Sequence, residues 1–111
     1  MIGAVVGVVD ATHPNASNYV MTWQTSRNGR LSAIEAINRT GPCTIAILMR
    51  AGGTQDINQG CCLATGTPLG QGFPLCFVPA GGLDITTQDE IAVIFQQATV
   101  GDNVALKVVF R

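Results

Sequence analysis

Short apolar runs cut by glycine, proline and polar pairs set the rhythm of this chain. The first run, "IGAVVGVVD", reads as a strand. In "NYVMTWQT", Tyr19, Met21 and Trp23 alternate with Val20, Thr22 and Gln24, the period of a half-buried strand. "RNGR" follows, and Asn28-Gly29 is a two-residue hairpin signal because both residues tolerate the positive φ of a type I′ turn. "CTIAILMR" is β-branched and almost wholly apolar, which predicts a central strand covered on both faces. "FPLCFV" predicts a short strand, with Pro74 placing it at an edge or a bulge. "DEIAVIFQ" and "NVALKVVF" close the chain around a turn at "VGDN". In the last strand Val104, Leu106, Val108 and Phe110 share one face and Lys107 lies on the other.

Two stretches break the pattern. "RLSAIEAINRTGP" spaces Leu31, Ile34 and Ile37 three apart, and Ser32 with Glu35 fits a capping box ahead of Gly41-Pro42. Residues 31–38 therefore read as a strand or a short helix, with the strand favoured because the preceding hairpin turn needs a partner. From Ala51 to Gly72 glycine is frequent and periodicity weak, which predicts a long loop holding one short strand at Cys61–Ala64. The sum is an all-β fold, a small jelly roll or β-sandwich of about seven or eight short strands, in one domain over residues 1–111. Both termini are expected to be strands in the sheets.

Composition sharpens this. Hydrophobic residues are 47% of the chain and charged residues 12%, about half the usual charged share. Mean hydropathy is +0.33. No run approaches the roughly 18–20 apolar residues that span a bilayer, so no membrane association is expected. "MIGAVVGVV" lacks the basic start and small-residue cleavage site of a signal peptide. Such a surface is expected to be hidden against a large partner or further copies of the chain, as a dimer or trimer. Net charge is -1. Arg27, Arg30, Arg39, Arg50, Lys107 and Arg111 are scattered, and a nucleic-acid partner needs a dense cationic face. None is expected.

Candidate chemistry is sparse. The cysteines are Cys43, Cys61, Cys62 and Cys76, without C-x-x-C spacing. Adjacent cysteines strain the ring that would bond them. The apolar contexts favour packing thiols; a bridge from Cys43 or Cys76 to the pair, or a four-thiolate metal site, stays open. His13, the single histidine, precedes Pro14 in a polar turn and reads as a surface residue rather than a base. Asp84, Asp89, Glu90 and Asp102 offer oxygen ligands for calcium, but read better as strand ends and turns. "GTPLGQG" lacks the Lys-Ser/Thr ending of a phosphate loop. No catalytic, cofactor-binding or metal-binding residue is expected, no cofactor, and no enzyme activity.

"PAGGLDITTQDEIAVIF" running into "DNVALKVVFR" resembles the terminal hairpin of small viral jelly rolls. The whole chain resembles the capsid decoration (cement or staple) proteins of short-tailed, epsilon15-like bacteriophages. That resemblance implies a structural protein bound to the major capsid protein, on the outer surface of the virion and in the host cytoplasm during assembly. It would bridge and stabilise coat subunits. Ile57, Leu63 and Leu69 of the long loop, with Met1 and Ile2 of the first strand, are the expected partner-interface residues. The alternative is a jelly-roll carbohydrate-binding module. Against it, Trp23 and Tyr19 lie on a strand face that looks buried, whereas sugar platforms are exposed.

Overall fold

The computed structural model describes residues 2–9, 18–51 and 60–111, and only the backbone of residues 2, 18, 50–51 and 60–65. Among them are nine strands: β1 Ile2–Val8, β2 Asn18–Gln24, β3 Gly29–Asn38, β4 Cys43–Ala51, β5 Gly60–Leu69, β6 Leu75–Phe77, β7 Leu83–Ile85, β8 Asp89–Gln96 and β9 Asn103–Phe110. All ladders are antiparallel. One sheet runs β1-β9-β3-β6, with β7 also on β3; the other runs β2-β8-β4-β5. The pairs nest: β4 with β5, β3 with β6 and β7, β2 with β8, β1 with β9. A long hairpin rolled up on itself gives this order, so the sandwich is a jelly roll.

The all-β reading holds, and so does the strand at 31–38. Its three-residue spacing comes from a bulge: the β3–β9 register shifts between Leu31 and Ala33. This puts Leu31 inward, then Ile34, Ala36 and Asn38. The two expected hairpins do not form. β2 pairs with β8 and β3 with β9, so the chain crosses between sheets at Asn28-Gly29 and again at 97–102. Neither Asn28 nor Gly29 has positive φ. Gly29 is there for space: a Cβ would lie 2.5 Å from the Arg111 carbonyl oxygen. Asn28 instead accepts a 3.1 Å hydrogen bond from the Thr87 amide.

The expected loop from Ala51 to Gly72 is also corrected. Its second half is the ten-residue strand β5. β5 bulges where Ile45 faces Thr67 and Ile47 faces Ala64, and Gly66 takes φ 61° there. Glycine read as loop is a bulge residue, and Pro68 is tolerated because β5 is an edge strand. Pro74 likewise precedes the edge strand β6.

Alternation fills the core. Ile45 and Ile47 of β4, Ile91, Val93 and Phe95 of β8, and Leu106, Val108 and Phe110 of β9 face inward and are essentially fully buried. Each such side chain contributes roughly 1.5–3 kcal/mol of transfer free energy. Ala46, Leu48, Ala92 and Ile94 lie on the opposite side of the same strands and form a second buried cluster with Val20 packed on it. β4 is therefore covered on both faces, as its apolar run predicts.

Candidate functional site

The end of the sandwich where β3 and β8 stop is held by a buried polar knot. Asn38 and Asp102 are both buried. Asn38 Nδ2 donates to Asp102 Oδ2 at 3.0 Å, and the Thr99 amide donates to the same oxygen at 3.0 Å. Asn38 Oδ1 accepts from the amides of Thr40 and Gly41, both at 3.1 Å. Backbone bonds extend the knot: Val9 donates to the Asp102 carbonyl and Gly72 to the Asn38 carbonyl. Four chain segments thus meet on two residues. Cys43 lies against them. Burial raises its thiol pKa above the usual range; a hydrogen bond with Asn38 opposes this, and the Asp102 charge adds to it.

Just outside the knot, the outer face of the β1-β9-β3-β6 sheet is open. Cross-strand pairing sets its rows. Val8 and Arg39 flank Asn103, Val6 and Ile37 flank Ala105, and Ala4 and Glu35 flank Lys107. Two hollows share Arg39. One, of about 180 Å³, is lined by Glu35, Ile37, Arg39, Pro74, Ala105 and Lys107. The other, of about 350 Å³, is lined by Val6, Val8, Arg39, Asn103 and Val104. Lys107 Nζ lies 3.9 Å from Glu35 Oε2, a loose surface pair. Arg39 makes no ion pair among the described residues. Phe73 precedes Pro74 and is 72% exposed. The bond from Gly72 to the Asn38 carbonyl holds this loop beside the start of the Arg39 segment.

The arrangement offers an apolar floor with charged and amide groups able to donate and accept hydrogen bonds, and the loop that supplies Pro74 to it also carries the exposed Phe73. Sequence reasoning missed it. Its signals were present: Lys107 opposite the apolar face of β9, Arg39 and Thr40 in the polar "NRTG", and a phenylalanine between glycine and proline.

Of the expected partner-interface residues, Leu69, Ile2 and Leu63 are among those described. Leu69 is only 4% exposed and packs in the sandwich core, because β5 turns it inward; this corrects its place at an interface. Ile2 is in β1 and Leu63 in β5. Met1 and Ile57 lie outside the described residues, as does His13. Trp23 and Tyr19 are half-buried against the core, and Trp23 stacks at a tilt on Phe110, ring centroids 5.1 Å apart. Among the described residues, no three of His, Cys, Asp and Glu gather to hold a metal ion. Asp84 pairs with Arg30 at 2.8 Å, and Asp89 accepts from the Thr86 amide at 2.9 Å, so both serve a strand end or turn. Cys43 and Cys76 are free thiols, Cys43 buried and Cys76 exposed.

No protein-family model matches the chain, and no curated protein does. Among solved structures it is similar to CpGH89CBM32-6 produced by Clostridium perfringens, with a TM-score of 0.61 at 13% identity, over 97% of this chain and 94% of that one. The likeness establishes a shared fold.

Proposed function

We propose that this chain is a non-catalytic module that binds saccharide on the outer face of the β1-β9-β3-β6 sheet. The observation that carries this reading is the pair of hollows that share Arg39 and are edged by Glu35, Lys107 and Asn103, with the exposed Phe73 next in sequence to Pro74 of the smaller one's lining. Sugars present apolar C–H faces and a fringe of hydroxyls. An aromatic or apolar surface takes the first, and amide or charged side chains take the second. One structural neighbour, CpGH89CBM32-6, is named for a carbohydrate-binding module, which supports the reading by analogy of fold. In this reading Trp23 and Tyr19 serve the core, and Phe73 takes the place they cannot fill. A glycan array followed by titration calorimetry tests it. The expected result is a glycan whose affinity falls about tenfold or more in Phe73→Ala and in Arg39→Ala, but not in Val100→Ala, which alters an exposed side chain in the turn between the sheets. Absence of any glycan ligand, or full affinity in all three variants, would sink it.

A second reading, the phage decoration protein, is supported by a different observation. Val6, Val8, Val78 and Val100 are at least half exposed, and β1 ends its sheet order. An uncharged edge strand with outward valines suits backbone pairing with a coat subunit or with another copy. Its test is binding to bare phage shells, with heat stability compared with and without the protein. Unchanged stability, or no binding, removes it.

A further inference from the structure

We infer that the preferred saccharide is anionic, bearing a carboxylate that Arg39 receives; this rests on the saccharide reading above. Arg39 lines both hollows, so a ligand in either one meets its guanidinium. It is exposed and has no carboxylate partner among the described residues. Two other arginines are engaged. Arg30 pairs with Asp84 and donates twice to the Gly81 carbonyl, and Arg27 sits 5.7 Å from the Phe110 ring centroid. Arg39 is therefore a cation at the site without an ion-pair partner among the described residues.

The backbone fixes where that side chain begins. Asn38 is locked by the buried knot, and the Arg39 amide donates to the Asn103 carbonyl at 2.8 Å. A guanidinium presents two parallel N–H groups to a carboxylate, and such pairs are shorter and stronger than hydrogen bonds to a neutral hydroxyl. The neighbouring charges favour an anion too. The smaller hollow is lined by two cations, Arg39 and Lys107, against one carboxylate, Glu35. Glu35 is 3.9 Å from Lys107, so the local excess positive charge stands at Arg39. A neutral sugar gains only hydroxyl contacts there; a uronic-acid residue adds the charge pair.

Three trisaccharides of closely similar shape separate the outcomes: trigalacturonate, its methyl ester, and galactotriose, each titrated at low and at physiological salt. The expected result is that trigalacturonate binds at least about tenfold more tightly than its ester, and that the gap narrows with salt. Arg39→Gln should abolish the gap, bringing the affinity for trigalacturonate down to that for the ester in the same variant. Equal affinity for acid and ester would overturn the anionic preference and leave the saccharide reading standing. No binding of any of the three, together with an empty glycan array, would overturn both. A gap that persists in Arg39→Gln would place the charge contact on another residue and overturn the assignment.

Discussion

Two glycines in β1 show how closely single residues are fitted. A Cβ at Gly3 would run into the Trp23 indole, and one at Gly7 would lie 2.6 Å from the Tyr19 hydroxyl. The glycines are four apart, and so are the aromatics of β2. Space rather than backbone freedom fixes them, since neither has positive φ. Gly3→Val should therefore cost about 1–3 kcal/mol, the usual penalty of overpacking, read as a lower urea midpoint. An unchanged midpoint would mean that the indole swings away freely. The thiols separate in the same way. Cys76, outward on β6 beside Glu35, is exposed, although the apolar "PLCFV" suggests a packed residue. Cys76 should be alkylated rapidly in the native protein and Cys43 only on unfolding. The raised pKa of Cys43 has a sign to test. As pH rises past the ordinary thiol range the unfolded chain loses its proton first, so Cys43 makes stability fall between that range and its raised value. Cys43→Ala should flatten that decline; an identical pH profile would refute it.

At the scale of elements, the Asn38–Asp102 knot joins β3, β9 and the two turns that leave them. Asp102→Ala leaves Asn38 Nδ2 and the Thr99 amide without their acceptor, at about 1–3 kcal/mol for the buried Asn38 donor and less for the part-buried amide, which water can reach. Asp102→Asn keeps a carbonyl for them and should cost less. Equal denaturation midpoints for the two variants would show that the oxygen is not what matters. The same region shows what the sequence made legible. Strand identity followed from alternation, because inward and outward positions differ in burial along β3 and β9. Strand partners did not follow. Asn28-Gly29 carries a local turn signal, but here the chain crosses from one sheet to the other, and the reason for Gly29 is an oxygen at Arg111. The candidate site was hidden for the same reason. Arg39, Pro74 and Lys107 are far apart in sequence and line one hollow only through β3–β9 register and the Gly72 bond to Asn38.

The nested order governs the whole molecule. The innermost ladder, β4 with β5, begins at Arg50 and Gly60, whereas the outermost joins Ile2 to Val109. Closing a longer loop costs more entropy, and contacts distant in sequence form late and slow folding. The inner ladders β4–β5 and β4–β8 should then form the folding nucleus, with β1 docking last. Ile47 sits in the nucleus, fully buried where β4 meets both neighbours. Val5 lies on β1, half-buried, opposite Leu106. Ile47→Val, a loss of about 0.5–1.5 kcal/mol, should slow folding and leave unfolding nearly unchanged. Val5→Ala should do the reverse, hastening unfolding while folding keeps its rate. Chevron plots of the two variants, in stopped-flow refolding and unfolding, compare them directly. Should Val5→Ala slow folding as much as Ile47→Val, the ends of the chain would already be paired in the transition state, and inside-out closure of the roll would be wrong.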